Sequence, residues 1–169
     1  YSNRVSQLKR WGINFEHIDI LKIEKLEKHI SKADLIYHLA GVTDVGTTKK
    51  DINNQRDKLV RNVGIKGTQN IIKLSQDKAK IIFPSTHVVF EGLNKVTRNI
   101  KEAADPKPIL GYAKGKVKSE KDLLNSNRNY VILRLGSVYG DSYDSTRLNI
   151  MTNVFSKITA SGGKIKLFS

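Results

Sequence analysis

The sequence predicts an α/β protein built on a parallel β-sheet, because strand-like and helix-like segments alternate along its 169 residues. Three largely apolar segments have the composition of strands in such a sheet, and each ends in or is followed by small or polar residues, at 34–41, 80–86 and 130–135. A helix-like segment at 109–125 carries a tyrosine and a lysine four residues apart. We therefore expect hydroxyls, glycines and this Tyr/Lys pair to converge at the carboxyl edge of the sheet.

The remaining elements are predicted from the spacing of apolar residues and from turn signals. An amphipathic pattern ending at Gly12 predicts a helix, and the alternation of apolar and polar residues from Ile13 to Ile20 predicts a strand. Gly64 and Gly67 interrupt a long polar helix and suggest close packing on the sheet or a bend. In chain order we expect helices at 3–11, 21–31, about 47–77 and 145–161, a loop at 87–108, a turn at 162–163 and the start of a strand at 164–168.

The Tyr/Lys pair is the first signal of chemistry. Tyr112 and Lys116 stand at positions i and i+4, so a helix places them on one face. A free tyrosine has a pKa of roughly 10, and a neighbouring cation favours its phenolate form, which can exchange a proton with an alcohol or carbonyl. The spacing also arises by chance in a chain with 30 lysines and arginines, where a solvated lysine beside a half-buried tyrosine is the alternative. The hydroxyls of Ser85 and Thr86 at the end of a predicted strand favour the catalytic interpretation.

The order and spacing of these motifs resemble the extended short-chain dehydrogenase/reductases, which are NAD-dependent epimerases, dehydratases and reductases acting mostly on nucleotide sugars. The resemblance covers the whole chain and implies a Rossmann-like doubly wound parallel sheet, with residues 1–169 forming part of an NAD(P)-binding domain. The family's Gly-x-x-Gly-x-x-Gly phosphate loop and its acidic NAD/NADP selector have no counterpart here. The resemblance therefore implies a chain that lacks the first βαβ unit and most of the C-terminal substrate domain, and we expect residues 1–169 alone to bind no NAD.

The resemblance implies catalytic roles for three residues. Thr86 would hold a substrate oxygen, Tyr112 would act as the general acid/base, and Lys116 would support the tyrosine and bind the nicotinamide ribose. Lys114 is a competing cation, but at i+2 from the tyrosine it points elsewhere. The implied substrate-binding residues are Thr86 and Ser137.

The resemblance also implies a binding site for NAD, with NADP left open. His38-Leu39-Ala40-Gly41 resembles the family's turn under the dinucleotide, where small residues let the backbone approach the cofactor. We expect His38 itself to be structural, a buried histidine satisfied by the backbone. Asp19 matches an acidic residue that contacts adenine, with a surface aspartate as the alternative. The implied cofactor-binding residues are Asn3, Asp19, Ile20, Leu39, Ala40, Gly41, Asn62, Tyr112, Lys116, Leu135 and Gly136.

The residues after Thr86 narrow the choice of reaction. The dehydratase branch of the family has an Asp-Glu pair directly after its catalytic threonine, whereas this chain has His87 and Val88. This difference disfavours a 4,6-dehydratase and leaves epimerase, reductase and decarboxylase. We expect NAD(P)-dependent oxidoreduction of a sugar carbon, with 4-epimerisation of a nucleotide sugar, as in UDP-glucose 4-epimerase, as the leading reaction. The alternatives are a reductase of a non-sugar carbonyl and a non-catalytic nucleotide-binding protein of the same fold.

Composition argues against several other classes of function. The net charge is +14, but the lysines are scattered along helix-like segments without aromatic interleaving, which disfavours nucleic-acid binding. No apolar run is long enough for a membrane span, and the lack of cysteine excludes disulfides and thiolate chemistry. Neither a His-Glu-x-x-His metal motif nor a Gly-x-Ser-x-Gly elbow occurs. We expect a cytoplasmic, homodimeric enzyme that takes a nucleotide sugar or another small molecule and has no metal, nucleic-acid or membrane partner.

Overall fold

The computed structural model describes residues 2–43, 55–140 and 150–166. Within them lie α1 (Ser2–Arg10), α2 (Ile23–Ile30), β1 (Leu35–Tyr37), α3 (Gln55–Leu74), β2 (Lys80–Thr86), a 3-10 turn (His87–Phe90), α4 (Gly111–Leu124), β3 (Asn129–Leu135) and α5 (Met151–Ala160). The chain divides into two compact units, a larger one of Ile18–Gly136 and a smaller one of Tyr1–His17 with Ser137–Ser169. None of the helices in the described ranges is long and apolar enough to cross a membrane.

The smaller unit contains α1 and α5. After α1 the chain reaches Gly12 with a φ of +72°, a left-handed conformation that favours glycine, which confirms the predicted helix end. Gly162 closes α5 in the same way, with a φ of +71° and its N–H donating to the Thr159 carbonyl. Residues 164–166 form no strand, so the prediction there is wrong for the part that is described. The predicted helical residues 47–54 and 145–149, and residues 167–168 of the predicted strand, lie outside the described residues.

The larger unit is built on a parallel sheet in the order β1-β2-β3. The register pairs Ile36 with Ile81 and Thr86 with Leu135. A helical segment connects each strand to the next, with α3 before β2 and α4 before β3. Because the strands run in one direction, their carboxyl ends meet at one edge of the sheet. This is the Rossmann-like α/β architecture that the sequence predicts.

One face of the sheet forms the core. Side chains alternate between the two faces of a strand, so Ile81 and Phe83 of β2 lie on the same face as the paired Ile36 of β1. They pack against Ile71 of α3 and Leu123 of α4. Full burial of one such side chain stabilises the fold by roughly 1.5–3 kcal/mol. This packing fixes α4 across the middle strand.

The opposite face of the sheet is exposed. The nearly continuous apolar residues at 34–41 predict a buried parallel strand, and this prediction is wrong for the face that carries Leu35 and Tyr37. The strand is also shorter than predicted, and Tyr37 is 64% exposed. The other exposed apolar side chains of this face are Leu35, Val131, Leu133 and Leu135. The physical reason is that α2, α3 and α4 all contribute side chains to the core face, so no described helix of the larger unit packs on the other one.

The prediction of a strand at 13–20 is wrong, since residues 13–20 have no strand structure. A strand needs a neighbour to take its backbone hydrogen bonds, and the described strands pair only with one another. Ile20 instead packs on the core, and its carbonyl accepts a 2.9 Å hydrogen bond from Asn70 Nδ2. Gly67 packs closely here, as predicted for this glycine, but on Ile20 rather than on the sheet: a Cβ at Gly67 would lie 3.0 Å from Ile20 Cδ1.

We expect Leu123→Ala to lower the free energy of unfolding by about 2–5 kcal/mol, because it leaves a cavity where α4 meets the sheet. Leu123 is fully buried, whereas the neighbouring Leu124 is 56% exposed, so Leu124→Ala is a matched control expected to cost less than about 1 kcal/mol. Urea denaturation of the intact protein measures both. Equal losses in the two variants would contradict the packing of α4 described above.

Candidate active site

The predicted Tyr/Lys helix is α4, and its start is fixed by the preceding loop. No side chain of its own caps the helix at Leu110. Glu91 supplies the missing acceptor, because its Oε1 accepts the backbone N–H groups of Ile109, at 2.6 Å, and Leu110. Tyr112 is thereby held in the first turn of α4, with Lys116 one turn later and its Nζ 5.9 Å from the centre of the Tyr112 ring.

The loop before α4 is also joined to the turn after β2. Gly92 N donates to the Lys107 carbonyl at 2.8 Å, and Lys107 N donates to the Val89 carbonyl at 2.7 Å. A Cβ on residue 92 would lie 2.4 Å from the Lys107 oxygen, so the close approach of the two backbones requires glycine. This predicted loop is therefore a structured connection between the end of β2 and the start of α4.

The Lys116 ammonium is held against β2. Its Nζ donates a 2.7 Å hydrogen bond to the Pro84 carbonyl and lies 4.5 Å from the centre of the Phe83 ring. The carbonyl is available because the ladder between β1 and β2 has already ended at the bond from His38 N to the Ile82 carbonyl. The backbone of Pro84 faces β1, as the backbone of Ile82 does, but it lies beyond the end of the ladder. The N–H group that proline lacks is therefore not needed for a hydrogen bond of the sheet. Proline is thus tolerated in a central strand at this position.

Burial perturbs both basic groups beneath the pocket. Desolvation lowers the pKa of Lys116 to about 8, and the negative charge of Glu120 acts in the opposite direction. The pKa of His38 falls to about 4, first because the ring is buried and second because Lys116 is positively charged. At neutral pH His38 is therefore neutral and Lys116 is mostly protonated.

The neutral His38 ring belongs to a buried polar network. Its Nε2 lies 2.9 Å from Thr68 Oγ1, and that hydroxyl donates to the Gly64 carbonyl at 2.8 Å. Because the threonine proton is used in this way, the ring nitrogen at Nε2 is best assigned as the donor, which leaves Nδ1 as an acceptor. Nδ1 is buried and has no hydrogen-bond partner among the residues that the structure describes. The expected partner was the backbone, whereas the observed one is a side chain.

A pocket of about 40 Å³ lies between the end of β1, α3 and α4. It brings together five of the predicted cofactor-binding residues, Leu39, Ala40, Gly41, Tyr112 and Lys116. The wall after β1 runs from His38 to Thr43 and includes the small residues Ala40 and Gly41. A Cβ at Gly41 would meet no atom of the described residues within 4 Å, so among these residues the backbone at Gly41 is open to the pocket.

Thr86 and Leu135 lie side by side at the carboxyl ends of β2 and β3. Thr86 is 9% exposed, and its Oγ1 accepts a 3.3 Å hydrogen bond from Val88 N, which starts the 3-10 turn. His87 Nδ1 lies 3.2 Å from the Leu135 carbonyl, and the exposed Gly136 follows. Thr86 does not line the pocket, but it stands two residues after the carbonyl that holds Lys116.

Three other predicted residues of the larger unit, Asp19, Ile20 and Asn62, do not line this pocket. Asp19 is exposed, and its Oδ1 accepts a 2.9 Å hydrogen bond from Leu21 N, while Ile20 packs in the core. Asn62 lies exposed on α3. Asn3, in α1, and Ser137, two residues after the end of β3, belong to the smaller unit. Their binding roles stay predictions.

Sequence reasoning missed the buried ion pair next to this site. Glu120 accepts hydrogen bonds from Arg134, from Nε to Oε1 at 3.1 Å and from Nη2 to Oε2 at 2.8 Å. The Ser85 hydroxyl also donates to Oε1. The hydrogen bonds from Arg134 to Glu120, together with the negative charge of Glu120, raise the pKa of Arg134 against the opposing effect of burial. A signal was present, because Glu120 stands four residues after Lys116 on the same helical face, where an acidic residue opposes the burial cost of the lysine.

No group of three or more histidine, cysteine, aspartate or glutamate residues capable of holding a metal ion occurs within residues 2–43, 55–140 and 150–166.

The chain matches the model of a known protein family over nearly its whole length. The family model of the RmlD substrate binding domain matches residues 3–167. The chain belongs to this family. The match confirms the resemblance to the extended short-chain dehydrogenase/reductases. A search of curated proteins by sequence found no match.

Solved structures share the fold of this RmlD-family chain. A UDP-glucuronic acid 4-epimerase variant from Bacillus cereus, in complex with NAD and UDP-4-deoxy-4-fluoro-glucuronic acid, is 22% identical with a TM-score of 0.78, over 99% of this chain and 52% of that one. UDP-glucose 4-epimerase from Thermus thermophilus, in complex with NAD, is 21% identical with a TM-score of 0.73, over 94% and 52%. The dTDP-4-dehydrorhamnose reductase of Bacillus anthracis, in complex with NADP, is 23% identical with a TM-score of 0.68, over 85% and 48%. The chain spans about half the length of these structures.

The pKa of Lys116 predicts how the stability of this RmlD-family chain depends on pH. Below about pH 8 the lysine is protonated in both the folded and the unfolded state, and its burial penalises folding. As the pH rises from about 8 to 10.5, the unfolded state binds more protons and the penalty disappears. We expect the unfolding free energy of the wild type to rise over this range, relative to Lys116→Met, by up to about 3 kcal/mol, since one pKa unit corresponds to about 1.4 kcal/mol.

Urea denaturation of the intact protein at several pH values measures this difference. Lys114→Met is the matched control, because Lys114 lies exposed on the same helix. The difference between the wild type and this control should stay constant with pH. A constant difference for Lys116→Met as well would contradict the burial of its ammonium group.

Proposed function

We propose that the protein catalyses NAD(P)-dependent oxidoreduction of a sugar carbon on a nucleotide sugar, with 4-epimerisation as the leading reaction. The observation that carries the proposal is the pairing of Tyr112 and Lys116 at a pocket on the carboxyl side of the sheet, with Lys116 hydrogen-bonded to Pro84. Solved structures of the same fold include 4-epimerases in complex with NAD. The three residues of the predicted catalytic set are intact, which argues against a non-catalytic nucleotide-binding protein.

The pocket would receive the part of a nicotinamide dinucleotide that lies against the turn after β1. That turn presents backbone at Ala40 and Gly41, and a Cβ at Gly41 would meet no atom of the described residues within 4 Å. The buried Nδ1 of His38 has no hydrogen-bond partner among the described residues, so it is left with an acceptor for a bound group or a water. Leu39, Ala40 and Gly41 would hold the dinucleotide, and Lys116 would bind the nicotinamide ribose. When bound, the nicotinamide supplies the chemistry of hydride acceptance and return.

Tyr112 acts as the general base in the oxidative half of this reaction. As the C–H hydrogen of the carbinol leaves as hydride, Tyr112 takes the O–H proton, and the carbinol becomes a ketone. The Lys116 cation beside the ring favours the phenolate form of Tyr112. Thr86 donates its hydroxyl hydrogen to the sugar oxygen and holds it in line with the tyrosine. In the reductive half, Tyr112 returns the proton to the same oxygen.

Reduction of a keto sugar is a second candidate reaction. The match to the RmlD substrate binding domain favours it, as does the likeness in fold to a dTDP-4-dehydrorhamnose reductase in complex with NADP. Tyr112 then acts only as an acid and gives its proton to the carbonyl oxygen. A reductase consumes one reduced nicotinamide per turnover, whereas an epimerase leaves the amount of cofactor unchanged.

The intact protein, supplied with NAD or NADP and a panel of nucleoside diphosphate sugars and their 4-keto derivatives, tests the proposal. Nicotinamide absorbance reports net oxidation or reduction, and chromatography reports the sugar products. Interconversion of 4-epimers without a net change in absorbance is the expected result. Stoichiometric consumption of reduced nicotinamide with a 4-keto sugar identifies the second candidate. Tight cofactor binding without conversion of any of these sugars would overturn the assignment to nucleotide sugars.

We expect Tyr112→Phe to lower turnover by about 10²-fold or more, the scale of a lost general acid/base, while cofactor affinity barely changes. Lys116→Ala should lower both turnover and cofactor affinity, because the same ammonium group supports the tyrosine and binds the ribose. Tyr37→Phe is the matched control, since Tyr37 lies on the exposed face of the sheet and should keep wild-type turnover. Steady-state kinetics and calorimetric titration of the cofactor measure these effects. Wild-type turnover in Tyr112→Phe would remove this residue from the mechanism.

A further inference from the structure

Glu120 is a buried carboxylate that the proposed reaction does not use. It is 2% exposed, and both of its oxygens accept hydrogen bonds. A charge in this environment is costly unless it is paired and fully hydrogen-bonded. Replacing such a pair by apolar residues is often neutral or stabilising, so its presence beside a catalytic helix calls for a reason other than stability.

We propose that Glu120 is a positioning residue for the reaction proposed above, on which this inference rests. It holds the end of β2, and with it Thr86, against the face of α4 that carries Tyr112 and Lys116. It also supplies the negative charge that keeps the buried Lys116 ammonium protonated.

The positioning role follows from the place of its partners in the sheet. Ser85 and Arg134 stand opposite each other on β2 and β3, one residue before Thr86 and Leu135. Glu120 accepts hydrogen bonds from both, and so joins α4 to the two strands at their carboxyl ends. The residue that follows Ser85 is the one that would hold the substrate oxygen.

Arg134 extends this connection to the loop before α4. Its Nη1 donates a 3.0 Å hydrogen bond to the Glu102 carbonyl, and its guanidinium lies 5.2 Å from the centre of the Phe90 ring in the 3-10 turn. The loop and turn that connect Thr86 to Tyr112 therefore contact the same Arg134 guanidinium that Glu120 binds. Loss of the Glu120 carboxylate would weaken the direct link between β2 and α4 and also the link between Thr86 and Tyr112 through this loop.

The charge role follows from the groups around Lys116. Within the part of the chain that the structure describes, the charged or titratable side chains that face it are His38 at the end of β1, Arg61 of α3 where it packs at Gly115, and Tyr112 and Glu120 of α4. Arg134 of β3 is paired with Glu120. His38 is neutral, and Glu120 raises the pKa of Lys116 against the effect of burial. Removing the carboxylate would also leave the positive charge of Arg134 unpaired. Both changes disfavour a protonated Lys116.

The main test measures kcat/KM against pH in the intact enzyme carrying Glu120→Gln, which keeps the size of the side chain and removes its charge. We expect kcat/KM to fall about tenfold or more, since a misplacement of a reacting group by about 1 Å can lower the rate about a hundredfold. The alkaline limb of the profile should move to lower pH by roughly one unit, the scale of the effect of one nearby opposite charge. A folded variant with wild-type turnover and an unmoved alkaline limb would overturn the proposal.

Asp122→Asn is the matched control, because it makes the same change of charge on the same helix. Asp122 accepts hydrogen bonds from Gln69, at 3.0 Å, and from Lys118, away from the Lys116 contacts. We expect its alkaline limb to coincide with that of the wild type. An equal shift in this variant would show a general effect of net charge and would overturn the role of Glu120.

Ser85→Ala separates the two roles and carries the test if Glu120→Gln does not fold. It removes the link from the carboxylate to β2 and leaves the carboxylate and Arg134 in place. We expect turnover to fall severalfold while the alkaline limb stays at its wild-type position, since the charge facing Lys116 is retained. Wild-type turnover in this variant would overturn the positioning of Thr86.

A titration of Lys116 distinguishes failure of this inference from failure of the proposed function. Isotope-labelled methyl groups on the lysines, with Lys116 assigned through Lys116→Arg, report its midpoint by NMR without any substrate. The midpoint should be lower in Glu120→Gln than in the wild type. If the intact enzyme converts no nucleotide sugar, the proposed function fails while this measurement still decides the charge role. Equal midpoints of the Lys116 titration in the wild type and in Glu120→Gln would overturn the charge role of Glu120.

Discussion

The packing of α4 across β2 is the constraint on which the rest of the site depends. Two successive turns of the helix are bonded to two successive residues of the strand, Lys116 to the Pro84 carbonyl and Glu120 to the Ser85 hydroxyl. The apolar contact between Leu123 and the core face of the sheet sets the helix at the distance where these bonds form. The carbonyl that receives Lys116 is available only because the ladder with β1 stops two residues earlier. Fold and site are thus determined by the same few contacts.

The buried ionisable groups of the site affect one another's protonation. Lys116 and Arg134 both interact with the carboxylate of Glu120, and His38 stays neutral because burial and the nearby ammonium both disfavour its protonation. Buried ion pairs contribute little net stability, whereas perturbed pKa values next to a pocket are typical of functional sites. A lysine with a pKa near 8 is mostly charged at neutral pH and can support a phenolate, but at a cost in folding free energy.

The sequence predicted those features that depend on local pattern. The bounds of β2 match the predicted strand at 80–86, and Tyr112 and Lys116 share a helical face as their spacing requires. The turn after β1 was placed near the cofactor by family resemblance, and its small residues line the same pocket as the Tyr/Lys pair.

The features that the sequence did not predict depend on tertiary partners. The alternation at 13–20 is compatible with a strand, but a strand forms only where a neighbour takes its hydrogen bonds. The pairing of Glu120 with Arg134 depends on the register of β3 against β2, which no local pattern encodes. The exposed face of the sheet was missed for the same reason, because the apolar composition of a strand does not say on which side the helices pack.

The proposed catalytic set is compatible with the likeness in fold to both epimerases and a reductase. In either of the proposed reactions Tyr112 would exchange a proton with a sugar oxygen, Lys116 would stabilise the phenolate, and Thr86 would hold the oxygen in place. The two reactions diverge at the keto intermediate, which an epimerase must retain and turn so that hydride returns to its other face. A reductase instead receives a ketone from solution and releases an alcohol. The choice between the two proposed reactions would therefore lie in how tightly and in how many orientations the nucleotide sugar is held, while the proposed roles of Tyr112, Lys116 and Thr86 are common to both.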